Sequence, residues 1–144
     1  MENFYSPSLT GKNVGKTQSY VINSLFIVAI IGGLFAVSVL GIINAIYLKI
    51  ERKTILLLTT ICIVLMCANV VTYDITKQFE EHTLLIGRLY AAVCFFIFYA
   101  FLKKPYKEHL IVVGELKSLF WPGLIWCIVS IFFDDFARSY ILPL

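Results

Sequence analysis

The stretch YVINSLFIVAIIGGLFAVSVLGIINAIYL, residues 20–48, contains no charged residue. It is too long and too apolar on every side for a helix that shows one face to water. Three further runs resemble it. Residues 54–73 carry no charge, residues 84–102 carry only Arg88, and residues 118–133 carry none. A hydrocarbon core about 30 Å thick takes about 20 apolar residues of helix. The runs predict four transmembrane helices at about 20–48, 54–73, 84–102 and 118–136. Unpaired backbone has no place in lipid, so helices are the expected form, and the alternation of a membrane barrel strand is absent.

Whole-chain composition agrees. Of 144 residues, 60% are hydrophobic and 15% are charged, with a mean hydropathy of +0.87. Soluble domains hold about 45–50% apolar and about 25% charged residues. This balance excludes an ordinary soluble enzyme and a disordered tail. A net charge of +3 is too weak to point to nucleic acid. The expected fold class is all-α, an integral membrane bundle of four transmembrane helices spanning 20–144. An exposed or interfacial arm, 1–19, precedes it. This arm lacks the basic start and short apolar core of a cleaved leader.

The scarce charges set an orientation. Loop 49–53 and loop 103–117 carry Lys49, Arg52, Lys53, Lys103, Lys104, Lys107 and Lys117. Lys12, Lys16, Lys77 and Arg138 fall on the opposite side of a four-span topology. The positive-inside rule then puts both loops in the cytoplasm and both termini outside, in a plasma (inner) membrane.

Several motifs fail. GKNVGKT, residues 11–17, has three residues between its glycines where a phosphate loop needs four. Cys62, Cys67, Cys94 and Cys127 form no C-x-x-C pair and read as small apolar packing residues. His82 and His109 fall near opposite faces, which argues against a shared haem or metal. The sequence therefore predicts no catalytic residue, no metal site and no cofactor.

Other features remain. Ala29, Gly33, Gly41 and Ala45 share one i, i+4 row, where small residues let helices approach closely. The row serves either the chain's own bundle or a subunit interface. Asn44 and Asn69 read as polar interhelical contacts or as pathway residues. Arg88 is the one charge inside a span, and intramembrane charges mark function or a specific partner. Asp74, Asp134 and Asp135 are its candidate partners, with a clamp between the third and fourth helices preferred. Loop 103–117 is basic at its start and apolar in its middle, with Pro105 expected to begin a short helix. It suits a lipid surface or a cytoplasmic partner. Small exporters of four helices carry a buried Glu in the first helix, which is missing here.

The functional expectation is a non-enzymatic subunit of a homo-oligomer or larger membrane complex, acting as anchor, sensor or stabiliser. The expected partners are the bilayer and other membrane subunits. The alternative is a small oligomeric channel or transporter.

Overall fold

A computed structural model describes residues 18–76, 80–111 and 115–141. Among the described residues the chain is all-helical apart from two three-residue strands. The order is β1 (Gln18–Tyr20), α1 (Ile22–Tyr47), α2 (Arg52–Thr76), α3 (Glu80–Ile111), β2 (Glu115–Lys117) and α4 (Phe120–Ile141). By length and composition, α1, α2 and most of α3 are long and apolar enough to cross a membrane. In α4 the apolar stretch is shorter, Phe120–Asp134.

The first run departs from the expected single span. Gly33 sits inside α1 with φ 71° and ψ −164°, outside helical space. The two flanks of that break fold back on each other. The Tyr20 N–H donates to Asn44 Oδ1 at 2.9 Å, and the Ser19 hydroxyl donates to the same oxygen at 3.0 Å. The Tyr20 and Tyr47 rings lie 5.5 Å apart. A straight helix would hold residues 20 and 44 about 36 Å apart. So α1 is a helical hairpin with its apex at Gly33. Its arms, 22–32 and 34–47, are ~16 Å and ~21 Å long.

Neighbouring contacts follow the reversal. On the second arm, Ser38 meets Cys94 and Gly41 meets Phe98, so this arm runs parallel to α3. On the first arm, Phe26 packs against Phe95 and Ile30 meets Arg88, the antiparallel sense. That first arm runs parallel to α4, with Val28 at Gly123 and Gly32 at Cys127. The strands impose this direction. β1 pairs with β2 in parallel, with Gln18 opposite Glu115 and Tyr20 opposite Lys117. Each strand then feeds its helix from the same end of the bundle.

The pairing also corrects the expected topology. Residues 18–20 lie beside 115–117, not on the opposite side from loop 103–117. The reversal at Gly33 returns the chain to the end from which it entered. Hydropathy alone predicts a crossing at 20–48, whereas the glycine pair at 32–33 permits a turn. The arm 1–17 lies outside the described residues.

One other boundary moves. Pro105 does not start a separate helix, because α3 runs through it to Ile111. Its missing N–H removes one helical hydrogen bond there. The second arm of α1 ends in a Schellman-type cap. The Lys49 and Ile50 N–H groups donate to the Ile46 and Ala45 carbonyls, with Lys49 in the left-handed region at φ 52°.

The core forms where the hairpin meets the other helices. Leu25, Ala36, Val37, Leu40, Leu58, Phe98 and Leu102 are fully or almost fully buried. Within the proposed small-residue row, Ala29 and Ala45 are buried, and Gly41 lies under the Phe98 ring. The fold-back divides the row, with Ala29 in the first arm, Gly33 at the break, and Gly41 and Ala45 in the second arm.

Three glycines should separate by their surroundings. Gly33→Ala forces a side chain into a glycine-only conformation and should cost about 1–3 kcal/mol. At Gly41 a Cβ would stand 2.6 Å from the Phe98 ring, so Gly41→Ala should cost a similar ~1–3 kcal/mol through overpacking. Among the described residues, a Cβ at Gly87 meets nothing nearer than Asn69 Oδ1 at 3.9 Å. Gly87→Ala should therefore gain about 0.4–1 kcal/mol. Unfolding in detergent measures all three, and wild-type stability for Gly33→Ala would contradict the reversal.

Candidate functional site at the helix break

A helix that stops inside an apolar bundle leaves carbonyls and N–H groups without partners. In an unbroken α1 the Ile30 carbonyl would accept the Leu34 N–H. The turn at Gly33 prevents that ring from closing. Arg88 of α3 supplies the replacement, since its Nη1 donates to the Ile30 carbonyl. The cation thus sits at the C-terminal, negative end of the first arm, where the peptide dipoles favour it.

The opposite charge approaches the same apex. A Cβ built on Gly33 would lie 3.9 Å from Asp134 Oδ2. Asp134 therefore stands beside the start of the second arm, the positive end of that helix. The sequence nominated Arg88 and Asp134, and the fold brings both to one feature that the sequence did not reveal. The side chains of Asp74 and Asp135 lie outside the described set.

Depth follows from the helix rise. Arg88 lies ~21 Å along α3 from Leu102, and Asp134 lies ~22 Å along α4 from Leu119. Gly33 lies ~21 Å along its arm from Tyr47. Three independent elements place the charged apex at one level, well away from the end that carries the strands. Phe35 fixes α4 against this level by stacking on Phe133 at 4.4 Å and tilting against Trp126 at 6.1 Å.

Asn44 and Asn69 occupy separate places. Asn44 is fully buried and ties β1 to the second arm through Oδ1, while its Nδ2 has no partner among the described residues. It closes the open end of the hairpin. Asn69 lies in α2 facing Gly87 of α3. Nearby, the Thr72 hydroxyl donates to the Ala68 carbonyl at 2.8 Å, and Tyr90 Oη lies 2.8 Å from Thr72 Oγ1. Ser38, Thr59 and Thr60 likewise donate to carbonyls four residues back, so these hydroxyls are locally satisfied.

The third cluster escaped a search along the sequence. Cys62 of α2 and Cys94 of α3 are both buried, with their sulfurs 3.9 Å apart. Their spacing of 32 residues matches no local motif, and only the packing of two helices joins them. Ser38 Oγ lies 3.5 Å from Cys94 Sγ. Cys67 is exposed and Cys127 partly so. Among the described residues, no group of three or more His, Cys, Asp or Glu stands close enough to hold a metal ion.

At the end that carries the strands, Lys117 Nζ lies 5.1 Å from the Tyr47 ring centre, and Lys103 Nζ lies 5.3 Å from that of Tyr99. Lys49, Arg52, Lys53, Lys104 and Lys107 are exposed around them. Loop 103–117 is therefore part helix and part strand, with its lysines outward.

Compared with protein-family models, with curated proteins and with solved structures, the chain matches none.

Replacing Arg88 tests the apex. Arg88→Leu leaves the Ile30 carbonyl uncapped and should cost about 1.5–3 kcal/mol, the value of a charged hydrogen bond. Arg88→Lys keeps a donor and should recover part of that loss. Equal stability of Arg88→Leu and wild type in detergent would show that the cap carries no weight.

Proposed function

We propose that this chain is a non-enzymatic integral membrane protein and a subunit of a homo-oligomer or larger membrane complex. In this reading α2, α3 and α4 cross the bilayer around a re-entrant hairpin formed by α1. The observation that carries it is the apolar outer surface. Leu56, Ile63, Val64 and Ile75 of α2, Leu85 and Phe96 of α3, and Ile131 and Phe132 of α4 are each more than half exposed. Water would penalise such a surface, whereas lipid or a neighbouring subunit would cover it. Inside, small residues and buried hydroxyls and thiols are devoted to helix contact, which suits an anchoring, sensing or stabilising part.

The fold-back changes the proposed orientation. Lys12 and Lys16 now precede an entry point on the same side as the seven loop bases. Counted along the sequence, nine of the 12 bases flank the entry side, Lys77 and Arg138 flank the other, and Arg88 stands at the apex. The bias therefore favours a cytoplasmic N-terminus more strongly than the four-span topology favoured its opposite. The C-terminus then lies outside, and the plasma membrane is the proposed location.

One observation favours the second reading, a small channel or transporter. Broken helices at membrane depth occur where they line a cavity or are buried in protein, and in transporters their ends face the substrate. The break at Gly33 has Arg88 and Asp134 beside it.

Two measurements separate the readings. Extraction in mild detergent followed by native mass determination should show a stoichiometric assembly, either of this chain or with other membrane subunits. Reconstituted vesicles should show no ion or small-solute flux above protein-free vesicles. Flux through the assembled protein, lost in the folded Arg88→Lys variant, would overturn the subunit reading in favour of the second.

A further inference from the structure

We propose that Cys62 and Cys94 are a modification site, a dithiol that a lipid-soluble small-molecule disulfide converts to an α2–α3 cross-link. Their sulfurs are already in van der Waals contact at 3.9 Å. Both side chains are almost wholly buried, at 3% and 1% exposure, so each is held facing the other. Closing the bond needs the sulfurs to approach from 3.9 Å to about 2.05 Å.

The polar neighbour sets the direction of the S–H groups. The Ser38 hydroxyl gives its proton to the Leu34 carbonyl at 2.7 Å. Its oxygen is then the acceptor for the Cys94 S–H at 3.5 Å. This arrangement leaves sulfur lone pairs of Cys94 toward Cys62.

The chemistry balances in two exchanges. One cysteine thiolate attacks the small disulfide, forming a mixed disulfide and expelling one small thiolate, which takes up the proton that the cysteine lost. The second cysteine then attacks the cysteine sulfur of the mixed disulfide and expels the other small thiol. The protein dithiol is oxidised by two electrons, and the small disulfide is reduced to two thiols. An isolated cysteine stops after the first exchange and keeps the adduct. Cys67 and Cys127 are therefore internal controls, because among the described residues neither sulfur lies beside a second cysteine sulfur.

The test treats the full-length protein, folded in detergent micelles, with excess dithiodipyridine. Peptide mass analysis without reduction then identifies the products. Wild type should give a Cys62–Cys94 cross-linked peptide and no pyridyl adduct on either residue, while Cys67 carries the adduct. Cys62→Ser should abolish the cross-link and leave a stable adduct on Cys94, and Cys94→Ser should do the converse. If a variant fails to fold, the wild-type product alone decides. Separate adducts on Cys62 and Cys94 would overturn the proposal. So would two free thiols at a reagent dose that has fully labelled Cys67.

Discussion

The structure depends on satisfying the backbone where α1 reverses. A chain can turn inside an apolar bundle only if the carbonyls and N–H groups freed by the turn find new partners. Gly33 supplies the conformation, and Arg88 supplies the donor for the Ile30 carbonyl. Asp134 brings the complementary charge to the other side of the break. Without these groups the same residues would be expected to continue as one helix, and the entry strand could not reach Asn44.

From that point the remaining contacts are consequences. The reversal brings β1 next to β2, and a parallel pair forms between segments about one hundred residues apart in the chain. Asn44 seals the open end of the hairpin by accepting from Ser19 and Tyr20. Gly32 and Gly41 allow close approach of α4 and α3 to the two arms. The hairpin touches each of the other three helices and thereby forms the centre of the bundle, although its apolar length alone suggests an ordinary crossing.

The helical class, the four apolar runs and most of their limits were legible in the sequence, because long uncharged runs leave few alternatives. Arg88 and Asp134 were legible as unusual charges near the end of a run. Their common target was not. Two adjacent glycines, Gly32 and Gly33, read equally well as a packing surface or a hinge, and hydropathy does not distinguish a span from a fold-back of the same length. The side on which residues 18–20 lie is hidden for the same reason, since one reversal changes the sidedness of what precedes it. The Cys62–Cys94 contact was beyond reach because it depends on the register between α2 and α3, which no local spacing encodes.

The distance between the ends of α1 tests this account most directly. Val21 and Ile46 are both exposed and can carry spin labels after substitution by cysteine in a background lacking the native cysteines. Pulsed dipolar spectroscopy of the protein in lipid vesicles should give a short separation, well under ~20 Å, as a hairpin requires. A straight helix would place these positions about 38 Å apart. A distribution centred near that longer distance would contradict the fold-back and the sidedness that rests on it.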